Sequence, residues 1–223
     1  MSIRVAVAGA AGRMGEAVCS AVEAAEDMTL TGRADPALGV ALPSVLGDAD
    51  VLVDFTRPDT ALENARLAIE GGVHVVIGTT GFDAEELREI ANGAATDARA
   101  FVAPNFAIGA VLMMRFAAEA SHFMARAEII ELHHPAKLDA PSGTAKRTAE
   151  LMDGEVPIHS VRLPGIVADQ EVILGDQAQT LTLRHVTTDR TSFMPGVLMA
   201  VRQVATLPDA LTIGLDRLLW PEG

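Results

Sequence analysis

Ile3-Arg4-Val5-Ala6-Val7-Ala8-Gly9-Ala10-Ala11-Gly12-Arg13-Met14-Gly15 is the stretch that decides the fold. A β-like apolar run passes directly into three glycines, after which Met14, Val18, Ala21 and Ala25 recur at helical spacing. Strand, tight turn and helix in immediate succession open a parallel α/β unit. Glycines let a bound pyrophosphate approach the backbone, and the helix N-terminus offers oriented N–H groups and the positive end of its dipole. The spacing G-x-x-G-x-x-G is a variant of the commoner dinucleotide fingerprint and is weak alone. Asp35 strengthens it, standing 20 residues beyond Gly15 at the end of the next strand-like run, where a carboxylate can bond ribose hydroxyls. The bland alternative is a tight turn and an unrelated loop acid; strand, glycines and acid together favour a dinucleotide. Pro36 follows Asp35, leaving no adjacent cation for a 2′-phosphate, so NADH is favoured over NADPH; Arg13 and Arg33 argue the other way.

Outward from this stretch, strands are expected at 3–8, 28–33, 51–55, 73–78 and 99–103, alternating with helices. Asp59 is expected to cap a helix reaching Ile69 before Gly71-Gly72, and Asp83 a helix running through Ile90. After a helix over 109–123 the pattern changes to strand-like runs at 127–133, 158–163, 171–174 and 180–186, which suggest a separate mixed sheet. A helix over 193–204 and a strand over 211–215 return to complete the first unit. The predicted fold class is therefore α/β: an N-terminal Rossmann-like parallel sheet, with a second α+β domain built on a mixed sheet. Residues 1–104 with 191–223 would form the dinucleotide domain, and 105–190 the substrate and oligomerisation domain.

Two later turns, Gly78-Thr79-Thr80-Gly81-Phe82 and Ala103-Pro104-Asn105-Phe106, follow strands of the first unit. Ligands of doubly wound sheets lie beyond such strand ends, so these turns would flank a nicotinamide. Without the glycine motif, ordinary turn chemistry would explain both.

Composition narrows the partners. A net charge of −13 disfavours nucleic acid and anionic membranes, both of which need a cationic face. The longest apolar stretch, 101–114, is broken by Pro104 and Asn105, and no secretory pattern opens the chain, so a cytoplasmic location is expected. The single cysteine, Cys19, reads as core. Among the 17 basic residues only Lys137 and Lys146 are lysines. An ammonium can release a proton whereas a guanidinium in practice cannot, which draws attention to Lys137.

Lys137 lies in Glu131-Leu132-His133-His134-Pro135-Ala136-Lys137-Leu138-Asp139-Ala140-Pro141-Ser142-Gly143-Thr144-Ala145. A strand delivers His133 and His134, and Pro135 prevents it from continuing in a central ladder. Neighbouring strand residues face opposite sides, so a bend here would be needed for both to serve one site. Ser142 is a candidate N-cap, and the amides of Gly143 and Thr144 would suit a carboxylate. Histidine, lysine and an anion cradle so close together fit proton transfer to a small acidic substrate beside a hydride donor. A buried strand-end imidazole and a plain helix cap are the ordinary explanations of each part taken singly. Adjacent histidines without further ligands do not converge on one ion, so no metal is expected.

With E-L-H-H-x-x-K-x-D-A-P-S-G-T-A, V-A-G-A-A-G-R-M-G, V-D-F-T at 53–56, G-T-T-G-F at 78–82 and A-P-N-F at 103–106, the chain resembles the 4-hydroxy-tetrahydrodipicolinate reductase (dihydrodipicolinate reductase) family over nearly its whole length. The resemblance implies reduction of a cyclic dicarboxylate in the diaminopimelate and lysine pathway. His133 would act as acid/base and Lys137 as proton donor, while His134, Gly143 and Thr144 hold the substrate. It implies that Gly9, Ala10, Ala11, Gly12, Arg13, Met14, Asp35, Gly78, Thr79, Thr80, Ala103, Pro104, Asn105 and Phe106 line the cofactor. It also implies a homotetramer formed through the second domain's sheet, and Arg190 matches a further family pattern. The stretch 151–158 is shorter than the family usually has. Two rivals share the glycine loop: another two-domain dehydrogenase of a small acid, and a non-catalytic NADH-sensing binder. Neither gives H-H-x-x-K-x-D-A-P-S-G-T a role.

Overall fold

The computed structural model describes residues 2–221, which divide into two compact units, 2–106 with 193–221, and 107–192. In the first unit β1 (Ile3–Ala8) and α1 (Arg13–Ala24) lead to β2 (Met28–Ala34), followed by a short α2 (Pro43–Leu46). Then come β3 (Val51–Asp54), α3 (Pro58–Glu70), β4 (His74–Ile77), α4 (Ala84–Gly93) and β5 (Ala100–Val102). The second unit contains α5 (Ile108–Ser121), β6 (Arg126–His133), α6 (Gly143–Leu151), β7 (Ile158–Arg162), β8 (Ala168–Asp176) and β9 (Gln179–Thr187). The chain then returns to the first unit with α7 (Met194–Gln203), β10 (Leu211–Ile213) and α8 (Asp216–Leu219).

The first sheet has the order β10-β5-β4-β3-β1-β2 with every neighbouring pair parallel. Strands buried on both faces explain the unbroken apolar runs: Val5 to Val7 and Val51 to Val53 are at most 2% exposed. The strand order reverses between β1 and β3, and in doubly wound sheets that switch point opens the ligand crevice. The second sheet, β7-β6-β8-β9, is mixed: β6 runs parallel to β7 and antiparallel to β8, which is antiparallel to β9. Its core joins Ile129, Val172 and Leu174 to Met113 and Ala117 of α5 and Ala145 of α6.

The α/β class and the mixed second sheet agree with the sequence-based expectation. One cap does not. Helix α3 starts at Pro58 with Arg57 as its N-cap, and Asp59 lies inside the first turn. Proline at the first helical position has a preset φ and no N–H to satisfy, so the helix begins before the acid can cap it. Asp83 does cap α4, accepting from the Glu85 amide at 2.9 Å. Strand β8 begins three residues before the expected 171, because Ala168 and Asp169 stay in register with Thr187 and Val186.

Candidate active site

In the first unit the glycine turn is shaped by close approach. Gly9 has φ +75°, and a Cβ there would lie 2.7 Å from the Phe55 carbonyl oxygen, so the turns after β1 and β3 meet backbone to side. A Cβ on Gly15 would lie 2.0 Å from the Gly9 carbonyl oxygen, which ties the first turn of α1 tightly to the loop. Gly12 is the N-cap of α1, with Arg13 and Met14 its first residues. Asp35 braces this loop: one carboxylate oxygen accepts from the Ala11 amide at 3.1 Å and the other from the Ala37 amide at 2.8 Å. The Gly9 and Ala10 amides donate to the Ala34 carbonyl, so Ala10 and Ala11 are both anchored to the end of β2. Arg13 is exposed, whereas the Arg33 guanidinium is paired with Glu23 at 2.9 Å.

The remaining turns share two residues that the sequence-based site omitted. Phe55 packs against Phe106 with ring centroids 5.9 Å apart, and a Cβ on Gly78 would strike the Phe55 ring. Asp54, fully buried at the end of β3, accepts from the Thr56 amide at 2.9 Å and hydroxyl at 2.7 Å, from Asn64 Nδ2 at 2.7 Å and from the Thr79 hydroxyl at 3.3 Å. One carboxylate thus joins the turns after β3 and β4. Thr79, Ala103 and Phe106 are buried, Thr80 and Pro104 exposed, and Asn105 intermediate. Glycines where a Cβ would collide, a helix N-terminus and a bracing acid at the switch point fit a dinucleotide. The 690 Å³ groove bordered by Glu70, Asp83, Glu85, Glu86 and Glu89 does not, because its carboxylates repel an anion.

In the second unit β6 ends at His133, and the chain turns at once, with the Lys137 amide donating to the His134 carbonyl at 3.1 Å. That turn is the bend expected at Pro135. Lys137 Nζ meets Asp139 Oδ1 at 2.9 Å, and the ammonium holds the Asp139 carboxyl below its usual range. Ser142 caps α6, its hydroxyl accepting from the Ala145 amide at 3.2 Å, with Gly143 exposed at the helix start and Thr144 beside it. Helix α6 is fixed from beneath by a buried bond from Gln170 Nε2 to the Thr148 hydroxyl at 2.7 Å.

Glu131 and Arg162 organise this cluster. Glu131 is fully buried, because alternation along β6 places it on the same face as Ile129. Arg162, opposite His133 on the parallel strand β7, donates to both Glu131 oxygens at 3.0 and 2.9 Å. The same guanidinium reaches the carbonyls of Lys137 at 3.1 Å and Asp139 at 2.7 Å. Glu131 also accepts from the Ser142 amide at 3.3 Å and bonds His133 Nδ1. Burial would raise the Glu131 carboxyl, but bonds from Arg162, Ser160 and His133 outweigh it and hold the group below its usual range. Burial lowers the His133 imidazole against the pull of Glu131, and the Lys137 and Arg162 cations lower it further. Arg162 carried no motif signal. A charge at the buried parity of β6 was the available clue, since it requires a partner.

A parallel doubly wound unit with a glycine turn at its switch point, and a mixed-sheet unit carrying His133 bonded to Glu131 and Lys137 paired with Asp139, define a two-unit nicotinamide-dependent oxidoreductase. The chain matches the family models described as "Dihydrodipicolinate reductase, N-terminus" over residues 3–106 and "Dihydrodipicolinate reductase, C-terminus" over 109–219. It belongs to the dihydrodipicolinate reductase family. A 4-hydroxy-tetrahydrodipicolinate reductase of Thermobifida fusca is 48% identical, the alignment covering 97% of this chain and 99% of that one. The enzyme of the same name from Nocardia farcinica is 46% identical, covering 98% and 99%. That alignment spans 248 positions against the 223 residues here, so this chain lacks residues that the relative has. Among solved structures, a dipicolinate-bound dihydrodipicolinate reductase from Paenisporosarcina sp. TG-14 superposes with a TM-score of 0.85 at 36% identity, covering 97% of this chain and 99% of that one.

Proposed function

We propose that this chain reduces 4-hydroxy-2,3,4,5-tetrahydrodipicolinate to tetrahydrodipicolinate for diaminopimelate and lysine synthesis, with NADH as the favoured reductant. The observation that carries the reading is the gathering of His133, Lys137 and the start of α6 around buried Glu131 and its half-buried partner Arg162. Residues 1–104 and 191–223 bind the cofactor through Gly9 to Met14, Asp35, Gly78 to Thr80, Ala103 and Pro104, joined by Asn105 and Phe106 from the head of the substrate-binding stretch 105–190. When bound, the nicotinamide supplies a hydride. Ser142, Gly143 and Thr144 hold a substrate carboxylate at the N-terminus of α6, and His134 assists. Lys137 donates a proton and His133 serves as acid/base. The dipicolinate bound by the Paenisporosarcina relative is a dicarboxylate of the kind this arrangement suits.

Asp35 followed by Pro36, and Arg33 engaged by Glu23, support NADH over NADPH. Coupled to a synthase that makes the heterocycle, the chain is expected to oxidise NADH with a higher kcat/KM than NADPH, read from nicotinamide absorbance. Preference for NADPH would overturn the cofactor assignment, and oxidation of neither would overturn the reaction.

The working form is read as a cytoplasmic homotetramer joined through the second sheet, whose edge strand β9 exposes Leu181 and Val186 at 41% and 47%. Sedimentation should therefore report about four times the 23.4 kDa chain mass. A monomeric mass would remove that part of the proposal.

A further inference from the structure

We propose that Glu131 is a positioning residue for His133, with Arg162 as its counter-ion, and that this ion pair sets the tautomer and basicity of the imidazole while holding the Lys137 loop and the start of α6 in place. The inference rests on the reading of His133 as acid/base and goes beyond it, to two side chains outside the proposed substrate and cofactor contacts.

A buried carboxylate is costly unless its charge is matched and its lone pairs are used. Here they are used by groups from three parts of the site. Arg162 of β7 forms a two-pronged ion pair with Glu131, and the Ser142 amide at the head of α6 donates to the same carboxylate. A further bond is to His133 Nδ1. Arg162 keeps Glu131 ionised, and an ionised carboxylate only accepts, so Nδ1 must be the donor. In neutral His133 the lone pair then resides on Nε2, on the ring edge away from Glu131, where it can take or return a proton. Arg162 spends its remaining donors on the carbonyls of Val161, Lys137 and Asp139. The residue that neutralises Glu131 is therefore also the one that anchors the lysine loop.

The charged groups that act on His133 are Glu131, Lys137 and Arg162, with Asp139 nearby and itself engaged by Lys137. Of the three acting directly, only Glu131 favours the imidazolium. Removing its charge in Glu131→Gln must lower the His133 pKa, so the pH limb governed by His133 moves to lower pH, by about one unit. The Gln amide can also donate to Nδ1 and release the tautomer. A fall in kcat of roughly 10- to 100-fold is expected with the NADH KM unchanged. Glu131→Asp, which keeps the charge, should recover the pH profile in part.

The test pairs steady-state pH profiles of wild type, Glu131→Gln, Glu131→Asp and His133→Gln with ¹⁵N NMR of the histidines in the intact wild-type protein. The His133 resonances are assigned by their absence from His133→Gln. The wild-type spectrum should show the Nδ1–H tautomer, a result that requires no variant at position 131 to fold. An Nε2–H tautomer, or a Glu131→Gln enzyme with wild-type kcat and pH profile, overturns the proposal. Full turnover by His133→Gln overturns instead the acid/base role of His133, so the two failures are separable.

Discussion

With His133 replaced by Gln and Lys137 by Met in one chain, turnover is expected to fall on the order of 10³-fold or more, while NADH binds as tightly as before. The expectation follows from where the residues sit. Both lie at and just beyond the end of β6, in the unit formed by residues 107–192, whereas the glycine turn, Asp35 and the loops after β4 and β5 belong to the other unit. The substitutions are chosen to spare the fold. Gln at 133 keeps a donor for Glu131, and Met at 137 keeps the length of the side chain while removing the ammonium. The Asp139 carboxylate then loses its partner, at small cost because it is more than half exposed. Fluorescence titration with NADH and single-turnover kinetics give the two numbers. Undiminished turnover would refute the assignment of both residues. Lost NADH affinity would show that these side chains serve cofactor binding rather than proton transfer. The single variants need not add up to the double, since groups that act on one proton path fail together.

How much of this was legible beforehand depends on the kind of signal each residue carries. Gly9, Gly12 and Gly15 were readable because close approach demands residues without a side chain, and the collisions a Cβ would meet at Gly9 and Gly15 show that demand in space. Ser142 and Asp83 were readable as caps because a small polar side chain before a helical run has few other uses. Asp59 misled because Pro58 takes the position that fixes the helix start. The pairing of Glu131 with Arg162 was not legible: 31 residues separate them, and only the parallel register of β6 with β7 brings Arg162 beside His133. Asp35 was read as a ribose ligand from its place after a strand. Its bonds to the Ala11 and Ala37 amides add a second task, bracing the phosphate loop, that spacing alone does not encode.

Asp54→Ala is the substitution with the largest expected effect on stability. The residue is fully buried, and its carboxylate accepts four hydrogen bonds, two from Thr56 and one each from Asn64 and Thr79. No cation is among those partners. The anion is held by the dipoles of neutral donors, and these donors have been arranged for it. Alanine leaves the Asn64 amide and the Thr79 hydroxyl, both buried, without their acceptor, and unpaired buried donors together with the lost charge-assisted bonds cost about 3 kcal/mol. For a chain of this size that lowers the melting temperature by roughly 6–12 °C. Asp54→Asn separates charge from shape: the amide oxygen can still accept from the Thr56 backbone, but its NH₂ faces another donor, and a loss of about half as much is expected. NADH affinity should fall in the same order, Ala below Asn below wild type, because the turns after β3 and β4 lose their common anchor. Thermal unfolding and NADH titration of the three proteins decide the matter. A melting point for Asp54→Ala within about 2 °C of wild type would mean that water replaces the carboxylate at this junction, and that the two turns are held by the Phe55 packing instead.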